Sequence, residues 1–394
     1  MNIIFFEDKR DKFLPLVYAK PLAKIRVGIL TIEEKWKQHF QKCDISINIS
    51  YLTEDYLSKK FPLVEQEGNI FINARFLPNE ELIDFIINNL NADEAIMFEG
   101  SLVASKCTLE QFKSKSYCIK NCNEKFISIE LGSITDVFSK NGLAIEQDYK
   151  LITKGRKSAT VSSTNTIIGD NIFIEEGAKI EASVLNSKAG PIYIGKDSEV
   201  MEGCLIRGLF ALCEGGVLKM GAKIYGATTV GKFSRAGGEI NNSVIQDYSN
   251  KGHDGYLGNS VIGEWCNLGA DTNTSNLKNN YAEVKLWSYE TEKFEKTGLQ
   301  FCGLIMGDHS KCGINTMFNT GTVVGVSANI YGSGFPRNFI PSYSWGGASG
   351  VTTYRADKVF EVAEIVMKRR DIELTNVDKE ILTAIFEITA KYRQ

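Results

Sequence analysis

The residues of this 394-residue chain most suited to acid–base chemistry are its histidines, of which there are three. His253 stands in the stretch YSNKGHDGYLGNSVIGEWCNLGADTNTSN, amid glycines and asparagines. An imidazole has an ordinary pKa of roughly 6.5, so it can take up or release a proton near neutral pH. His253 is therefore either a catalytic base or a solvated histidine in a turn.

The first part of the chain alternates between short apolar runs, typical of strands, and helical patterns. In the first 155 residues we predict strands at 3–6, 45–51, 70–73, 95–98 and 126–129, and helices at 30–40, 53–60, 80–90 and 108–113. Thr53 and Asn79 stand where helix caps are expected. This alternation predicts a Rossmann-like α/β domain over 1–155 with a mainly parallel sheet.

The next region, 156–350, repeats every six residues. Such a period predicts a triangular coil, in which each rung is a short strand plus a turn and one aliphatic side chain per rung points inward. We expect a parallel β-helix of hexapeptide repeats. The residues in phase are Ile168, Ile174, Ile180, Ile194, Val200, Ile206, Leu212, Leu218, Ile224, Val230, Ile262, Leu268, Met306, Cys312, Phe318, Val324 and Ile330.

The six-residue phase is broken at about 236–258 and 278–304. Interruptions of a solenoid correspond to loops on one face, where sites are commonly built. The second break alternates in its first half and predicts a hairpin. The repeats stop after Gly350, and the segment 351–394 predicts two amphipathic helices, at 354–370 and 376–392.

The overall composition limits the classes of binding partner that can be expected. Lys+Arg 45 against Asp+Glu 48 leaves a net charge of -3, so there is no electrostatic reason to expect nucleic acid or an anionic membrane. The first residues lack the apolar run of a signal peptide, which predicts a soluble, cytoplasmic protein. The nine cysteines contain no CxxC, and the Cys118/Cys122 pair lacks partners for a zinc site.

Two stretches resemble a known family. GHDGYLGNSVIGEWCNLGADTNTSN is similar to the G-H-x-x-Y-L-G-D, I-G, V-N-I-G-A-G-T and N-Y segments of the bifunctional N-acetylglucosamine-1-phosphate uridyltransferase/glucosamine-1-phosphate acetyltransferase, whose coil is a left-handed β-helix. KFLPLVYAKPL resembles the L-x-P-L-T-x-x-x-x-K-P-L stretch of sugar nucleotidyltransferases. The whole chain is most similar to a divergent form with a shortened first domain. The coil matches are Gly252, His253, Tyr256, Leu257, Gly258, Ile262, Gly263, Asn267, Gly269, Ala270, Thr272 and Asn276.

The resemblance implies N-acetylation of glucosamine-1-phosphate, or of a similar amino-sugar phosphate, on the route to UDP-N-acetylglucosamine, a cell-wall precursor. It makes His253 the general base. The acceptor sugar would meet Tyr256, Asn267, Asn276 and Glu239, and Lys223 and Arg235 could meet its phosphate. The family's lysine and tyrosine are replaced by Asn241 and Leu277 in this chain.

The resemblance also implies acetyl-CoA as the donor substrate, bound in a groove between neighbouring coils of a homotrimer. The groove would be lined by Ala270, Ser327, Ala328 and Arg337. His309 falls on a coil rung and is predicted at a corner or subunit interface. His39 lies on a predicted helix and is expected to be structural.

The first domain could transfer a nucleotide from UTP or dTTP to a sugar 1-phosphate, with Mg²⁺ held by carboxylates. The family's glycine-rich loop is absent, however, and Asn73 stands where its magnesium aspartate is expected; neutral Asn is a poorer ligand for Mg²⁺. The candidates for binding the nucleotide are Asp8, Arg10, Lys20, Lys24, Arg26 and Asn73.

Three functions stay open. The chain is an acetyltransferase with residual or full nucleotidyltransferase activity, a nucleotidyltransferase whose coil only builds the oligomer, or a non-catalytic assembly or nucleotide-sensing protein. The intact surroundings of His253 favour the first. The missing glycine loop favours the third for the first domain only.

Overall fold

The computed structural model describes residues 1–121 and 126–393. The chain forms two compact units. The first contains Met1–Phe13, Lys20–Ile25 and Leu30–Ile134, and the second contains Leu14–Ala19, Arg26–Ile29 and Thr135–Gln394. The chain thus passes to its second unit about twenty residues before the predicted boundary at 155.

The first unit holds eight of the described strands and three helices. Helix 30–40 is confirmed at Ile32–Lys42, where Thr31 and Glu34 form a capping box and Ile32, Trp36 and Phe40 are buried on one face. The helix predicted at 53–60 is wrong, since only Asp55–Leu57 forms a short 3₁₀ helix. The elements are β1 (Asn2–Phe6), α1 (Ile32–Lys42), β2 (Asn48–Leu52), β3 (Asn69–Asn73), β4 (Phe76–Leu77), α2 (Glu80–Asn88), β5 (Glu94–Phe98), β6 (Ser101–Lys106), α3 (Leu109–Ser114), β7 (Cys118–Asn121) and β8 (Ile129–Glu130).

The main sheet of this unit has the order β2-β1-β3-β6-β5-β7. β1 pairs in parallel with β2 and β3, and β5 pairs in parallel with β7. The unpredicted strand β6 pairs antiparallel with β3 and β5, so the sheet is mixed rather than mainly parallel. Because β1 lies between β2 and β3, the strand order reverses at β1. In doubly wound sheets, a ligand crevice usually lies beside the carboxyl ends of the strands at such a reversal.

The second unit begins with helices α4 (Asp136–Ser139) and α5 (Asn141–Thr153). Asn141 of α5 donates to the carbonyl of Ala227 at 3.0 Å and to Thr229 Oγ1 at 3.1 Å, and Asp148 accepts from the Ile29 amide at 2.7 Å. These buried polar contacts tie α5 to the coil, which explains why the unit starts before residue 155.

The strands of the second unit are short, and most of them recur in the order expected for the three faces of a coil. They are β9 (Thr166–Ile168), β10 (Ile172–Ile174), β11 (Lys179–Ile180), β12 (Val184–Asn186), β13 (Ile192–Ile194), β14 (Glu199–Val200), β15 (Leu205–Arg207), β16 (Phe210–Leu212), β17 (Val217–Leu218), β18 (Lys223–Tyr225), β19 (Thr228–Val230), β20 (Arg235–Ala236), β21 (Glu239–Asn241), β22 (Val244–Ile245), β23 (Asn250–Lys251), β24 (Tyr256–Gly258), β25 (Val261–Ile262), β26 (Asn267–Leu268), β27 (Asn273–Thr274), β28 (Lys285–Ser288), β29 (Lys293–Lys296), β30 (Leu304–Met306), β31 (Lys311–Cys312), β32 (Met317–Phe318), β33 (Thr322–Val324), β34 (Asn329–Ile330), β35 (Phe339–Ile340), β36 (Ser344–Gly347) and β37 (Gly350–Thr353).

Three parallel sheets form the faces of this β-helix. Face one is β9-β12-β15-β18-β21-β24, face two runs from β10 to β35, and face three runs from β11 to β36. Every predicted inward residue from Ile174 onward lies in one continuous core. The triangular coil is therefore confirmed, and its left-handed turn stays a prediction.

The first predicted break is wrong. Between 236 and 258 the strands β20 to β24 continue the coil without interruption, and each pairs with the strand one coil turn earlier on the same face. The strict period fails because two turns are shorter. The inward residues follow one another as Ala236, Ile240, Ile245, Lys251 and Leu257.

The second break is confirmed as an antiparallel hairpin of β28 and β29. The coil ends in a second hairpin of β36 and β37 and in helices α6 (Ala356–Lys368) and α7 (Asn376–Ile388), close to the predicted bounds. Within the described residues no helix is long and apolar enough to cross a membrane. Cys118 is a free thiol, and Cys122 lies outside the described residues.

Candidate functional site

The turn that carries His253 joins β23 on face three to β24 on face one. The imidazole is exposed, and no described residue forms a hydrogen bond with it. Gly255 in the same turn has φ +112°, and a Cβ atom there would lie 2.2 Å from the Thr272 carbonyl oxygen. Glycine is therefore required for the turn to pass beneath its neighbour, and the turn holds His253 at the corner between two faces.

Face one presents a polar cluster beside this corner. Glu239 is the register neighbour of Lys223 on one side and of Tyr256 on the other. Tyr225 donates to Glu239, and that hydrogen bond together with burial raises the pKa of Tyr225. The structure thus brings the predicted residues Lys223, Glu239 and Tyr256 together, and it adds Tyr225.

Asn276 completes this cluster from the next turn of the coil. Its Nδ2 donates to Tyr256 Oη at 3.0 Å and to Asn259 Oδ1 at 2.7 Å. Burial raises the pKa of Tyr256, against the hydrogen bonds of Asn241 and Asn276. Tyr256 is therefore a neutral hydroxyl held in place by amides, which suits contact with the hydroxyl groups of a sugar. Asn259 and Tyr225 were missed, although the coil phase places both on the outer surface.

Arg235 and Asn267 lie on face three, on the other side of the corner. Asn250 stands between them in register. A Cβ atom on Gly252 would lie 3.8 Å from Lys219 Cγ and 3.9 Å from Arg235 Cβ, so two cationic side chains flank the His253 turn on this face. Lys223 and Arg235 are thus not one phosphate site but two separate cations on either side of His253.

The residues predicted to bind the acyl-CoA donor differ in their exposure. Ala270 lies in the turn at 269–271, which is one coil turn away from the His253 turn, and it is partly exposed. Ser327 and Ala328 are 1% exposed, Ala328 belongs to the coil core, and both line one small cavity together with Val359 and Ala363 of α6. In this arrangement neither side chain is accessible to acyl-CoA, since Ser327 is buried beside α6 and Ala328 lies in the coil core.

Arg337 is exposed and lines a cavity of about 650 Å³ at the end of the coil. Trp287, stacked on Phe339 at 4.2 Å, forms an aromatic wall, and its indole N–H has no acceptor among the described residues. Arg393 donates to the carbonyls of Ser342 and Phe386, and no carboxylate among the described residues pairs with its guanidinium. The cavity therefore suits an anionic ligand with apolar or aromatic parts.

The other histidines lie away from this corner. His309 occupies a different corner of the coil with φ +61° and stacks on Trp265 with ring centroids 6.3 Å apart. His39 lies on α1, as predicted, and burial lowers its pKa to about 4.

The first unit carries a second polar cluster at the carboxyl ends of β1 and β3. Asp8 accepts from Asn73 Nδ2 at 2.8 Å and from Arg75 Nη2 at 3.0 Å. Arg75 is fully buried and also donates to Glu130 at 2.6 Å. Burial raises the pKa of Asp8, but the hydrogen bonds from Arg75 and Asn73 outweigh it and hold the pKa below the ordinary value.

Arg75 was missed, because the stretch FINARFLP was considered only for a metal ligand. The residues do not fit Mg²⁺: both Asp8 oxygens already accept from Arg75, and the neighbouring Asn73 is neutral. Among the described residues no group of three or more His, Cys, Asp or Glu could hold a metal ion.

The remaining predicted nucleotide-binding cations are not equivalent. Arg10 pairs with Glu7, Lys24 pairs with Glu33 at 2.6 Å, and Lys20 is buried in the same unit. Arg26 belongs to the second unit, where it is 1% exposed and makes two 2.9 Å hydrogen bonds with Asp247. Its guanidinium is thus held within the second unit by the Asp247 carboxylate.

Comparison with known proteins bears on each unit. Residues 3–157 match the model of a family described as sugar nucleotidyl transferase. No curated protein matches the chain.

Several solved acyltransferases resemble part of the chain. The polySia-specific acetyltransferase NeuO is 13% identical, with 49% of this chain and 87% of that chain covered and a TM-score of 0.26. AntD, an N-acyltransferase from Bacillus cereus solved with dTDP-4-amino-4,6-dideoxyglucose and coenzyme A, is 14% identical over 52% and 91%, with a TM-score of 0.21. UDP-N-acetylglucosamine acyltransferase of Arabidopsis is 16% identical over 60% and 92%, with a TM-score of 0.22.

These TM-scores are too low for the likeness to say anything about the chemistry of this chain. The family match over residues 3–157 supports a transferase that acts on sugar nucleotides or their precursors.

Proposed function

We propose that the coil transfers an acyl group, in the simplest case acetyl from acetyl-CoA, to the amine of an amino-sugar phosphate such as glucosamine-1-phosphate. The observation that carries the proposal is the position of His253: exposed, on a glycine-built turn, between the Tyr256 cluster on one face and Arg235 on the other. This reaction belongs to the bifunctional family that the coil motif resembles.

His253 acts as the general base. The sugar amine attacks the thioester carbonyl, the new N–C bond forms as the C–S bond breaks, and the amine proton passes to the imidazole. The proton then leaves with the CoA thiolate as the free thiol. Tyr256, Asn276 and Glu239 hold the sugar hydroxyls, and Lys223 or Arg235 meets the phosphate.

The donor lies along the corner that bears His253. The turns at 252–255, 269–271, 313–315, 331–334 and 347–350 follow strands in direct register, so they stack above one another. Four strand spacings of about 4.8 Å separate the first from the last, or about 19 Å. The extended pantetheine arm of CoA is of similar length, and its phosphates would meet Arg337 and Arg393 at the cavity.

We propose a homotrimer as the working assembly, in the cytoplasm. The corner carries large apolar side chains that are exposed in one chain: Ile314 is 71%, Phe335 52% and Tyr331 45% exposed. A neighbouring coil would cover them and close the groove for the donor.

The test is a product assay on the purified protein with glucosamine-1-phosphate, acetyl-CoA, UTP and magnesium, each withheld in turn. His253→Ala should lower kcat for acetyl transfer by about 10²- to 10⁴-fold, because a general base contributes about that much. His309→Ala is the matched control, since it removes a histidine from another corner of the same coil. Full activity in the His253→Ala protein would rule out the assignment.

The family match over residues 3–157 favours a second activity, nucleotidyl transfer from UTP or dTTP to a sugar 1-phosphate. Asp8, Asn73 and Arg75 lie where a doubly wound sheet binds its ligand. Nucleotide-sugar formation that does not need acetyl-CoA and survives His253→Ala would establish it. If no product forms under any condition, the chain is a binding or assembly protein.

A further inference from the structure

A lysine lies inside the aliphatic coil. In its column on face three, Lys251 has Ala236 below it and Leu268 above it, and both neighbours are core residues. Its side chain is 2% exposed. A polar group in such a place destabilises the fold unless it is hydrogen-bonded, so its partners indicate what it is there for.

The partners of Lys251 are the backbone of the His253 turn. Its Nζ donates to the carbonyl of His253 at 2.5 Å and to the carbonyl of Asp254 at 3.2 Å. Both bonds come from the inner side of the coil, while the imidazole projects from the outer side. Burial lowers the pKa of Lys251 to about 8, against the attraction of Asp254, Cys312 and Asp271. An amine donates these bonds whether or not it carries the extra proton.

We infer that Lys251 is a positioning residue that fixes the backbone of the 252–255 turn from inside the coil and so sets the place of the His253 imidazole. The inference rests on the proposed function for its catalytic consequence. The structural part, that Lys251 fixes the turn, stands on the two hydrogen bonds alone. The effect on catalysis is expected because a misplacement of about 1 Å at a reacting group can cost roughly a hundred-fold in rate.

The coil provides its own matched control. Lys311, also on face three, donates from Nζ to the carbonyl of His309 at 2.9 Å. The two lysines therefore make the same contact, each to the histidine of a different corner. Lys311 stands in the outward column beside Asn267 and Asn329, whereas Lys251 stands in the inward one.

The main variant is Lys251→Leu, because leucine already occupies this column at Leu218 and Leu268. Leucine completes the apolar core, so the melting temperature should stay the same or rise while kcat for acetyl transfer falls about ten- to a hundred-fold. The KM for each substrate should change less than about two-fold, since no substrate contact is removed. Lys251→Met, which keeps the length of the side chain, serves if the leucine variant does not fold.

The second measurement does not depend on activity. With ¹³C-labelled histidine the chain gives three imidazole signals, which His→Ala variants assign. Lys251→Leu should shift the signal of His253 and leave those of His39 and His309 in place, and Lys311→Met should shift only that of His309. If His253→Ala proves active, the proposed function fails, but this measurement still decides whether Lys251 holds the turn.

A Lys251 variant with the wild-type His253 signal and wild-type kcat would overturn the inference. A variant that loses activity only in proportion to lost melting temperature would also overturn it, since that is the behaviour of a purely structural residue.

Discussion

Two buried arginines show how the same side chain serves different ends. Arg26 makes a two-bond ion pair with Asp247 in the coil unit, whereas Arg75 joins Asp8, Glu130 and Ser101 at the ligand edge of the first unit's sheet. A buried guanidinium needs such partners, since an uncompensated charge in the interior is costly. Arg26 is thus a structural residue, and Arg75 organises the candidate nucleotide edge.

Replacing Arg75 with Ala should lower the free energy of unfolding of the first unit by about 3 kcal/mol, because it leaves two carboxylates without their buried partner. Hydrogen exchange of peptides from β1 and β3 measures this locally. Arg156→Ala in the second unit is the control, measured by exchange of peptides that contain Glu175: its two-bond pair is similar, but Arg156 is 48% exposed, so less than about 1 kcal/mol is expected. Equal losses for the two variants would contradict the reasoning.

The Asp8 interaction also predicts a pH dependence. The folded pKa of Asp8 is depressed below its ordinary 3.8, so its contribution is full above that pH and is lost as pH falls through the folded value. The stability difference between wild type and Asp8→Asn, followed by the same exchange measurement, should therefore be constant from pH 7 to about 5 and shrink below about 4. A difference that grows on acidification would be inconsistent with this.

At the scale of elements, the six-residue period predicted the coil but also predicted a first break that the coil does not have. The period counts residues, whereas the fold depends on strand pairing, so two shortened turns near Ile240 and Ile245 made an intact coil look interrupted. The same phase shift hid Lys251, which sequence reasoning did not recognise as an inward residue. The resemblance predicted Glu239 and Tyr256 as acceptor contacts and Lys223 as a phosphate contact, and the strand register places the three side by side on face one.

The contacts of α6 with Ser327 and Ala328 could not be predicted from local pattern. The residues concerned are about thirty positions apart in the chain. The amphipathic pattern of a helix indicates that one face is buried, but it does not indicate which segment covers that face.

The hairpin β28–β29 allows a test of the cavity at this scale. Thr297 N donates to Val284 O at 3.0 Å, so the hairpin's ends already meet and an Asn-Gly turn can replace 285–296. Loss of the Trp287 aromatic wall from the cavity should raise the KM for acyl-CoA about ten-fold, measured by steady-state kinetics. The KM for the acceptor should not change. An unchanged KM for acyl-CoA would place the donor elsewhere.

At the scale of the whole molecule, the proposed trimer predicts a mass in solution of three times 43.8 kDa, measured by light scattering. Ile314→Asp places a charge among the exposed apolar residues of the His253 corner and should yield monomers with an intact coil by circular dichroism. Ile365→Asp, at an equally exposed site on α6, is the control and should leave the trimer intact. A monomeric wild type would remove the proposed groove between chains.

The stacked turns of the His253 corner fix the distance between the imidazole and the cavity at the end of the coil. Because each complete turn of the coil adds one strand spacing, the span from His253 to the cavity can change only in steps of about 4.8 Å, one step for each coil turn. Inserting one complete turn of coil between β26 and β34 would lengthen that span by one step without altering either end. Under the proposed function such a chain should prefer a donor with a correspondingly longer arm, so the number of coil turns would set the choice of donor.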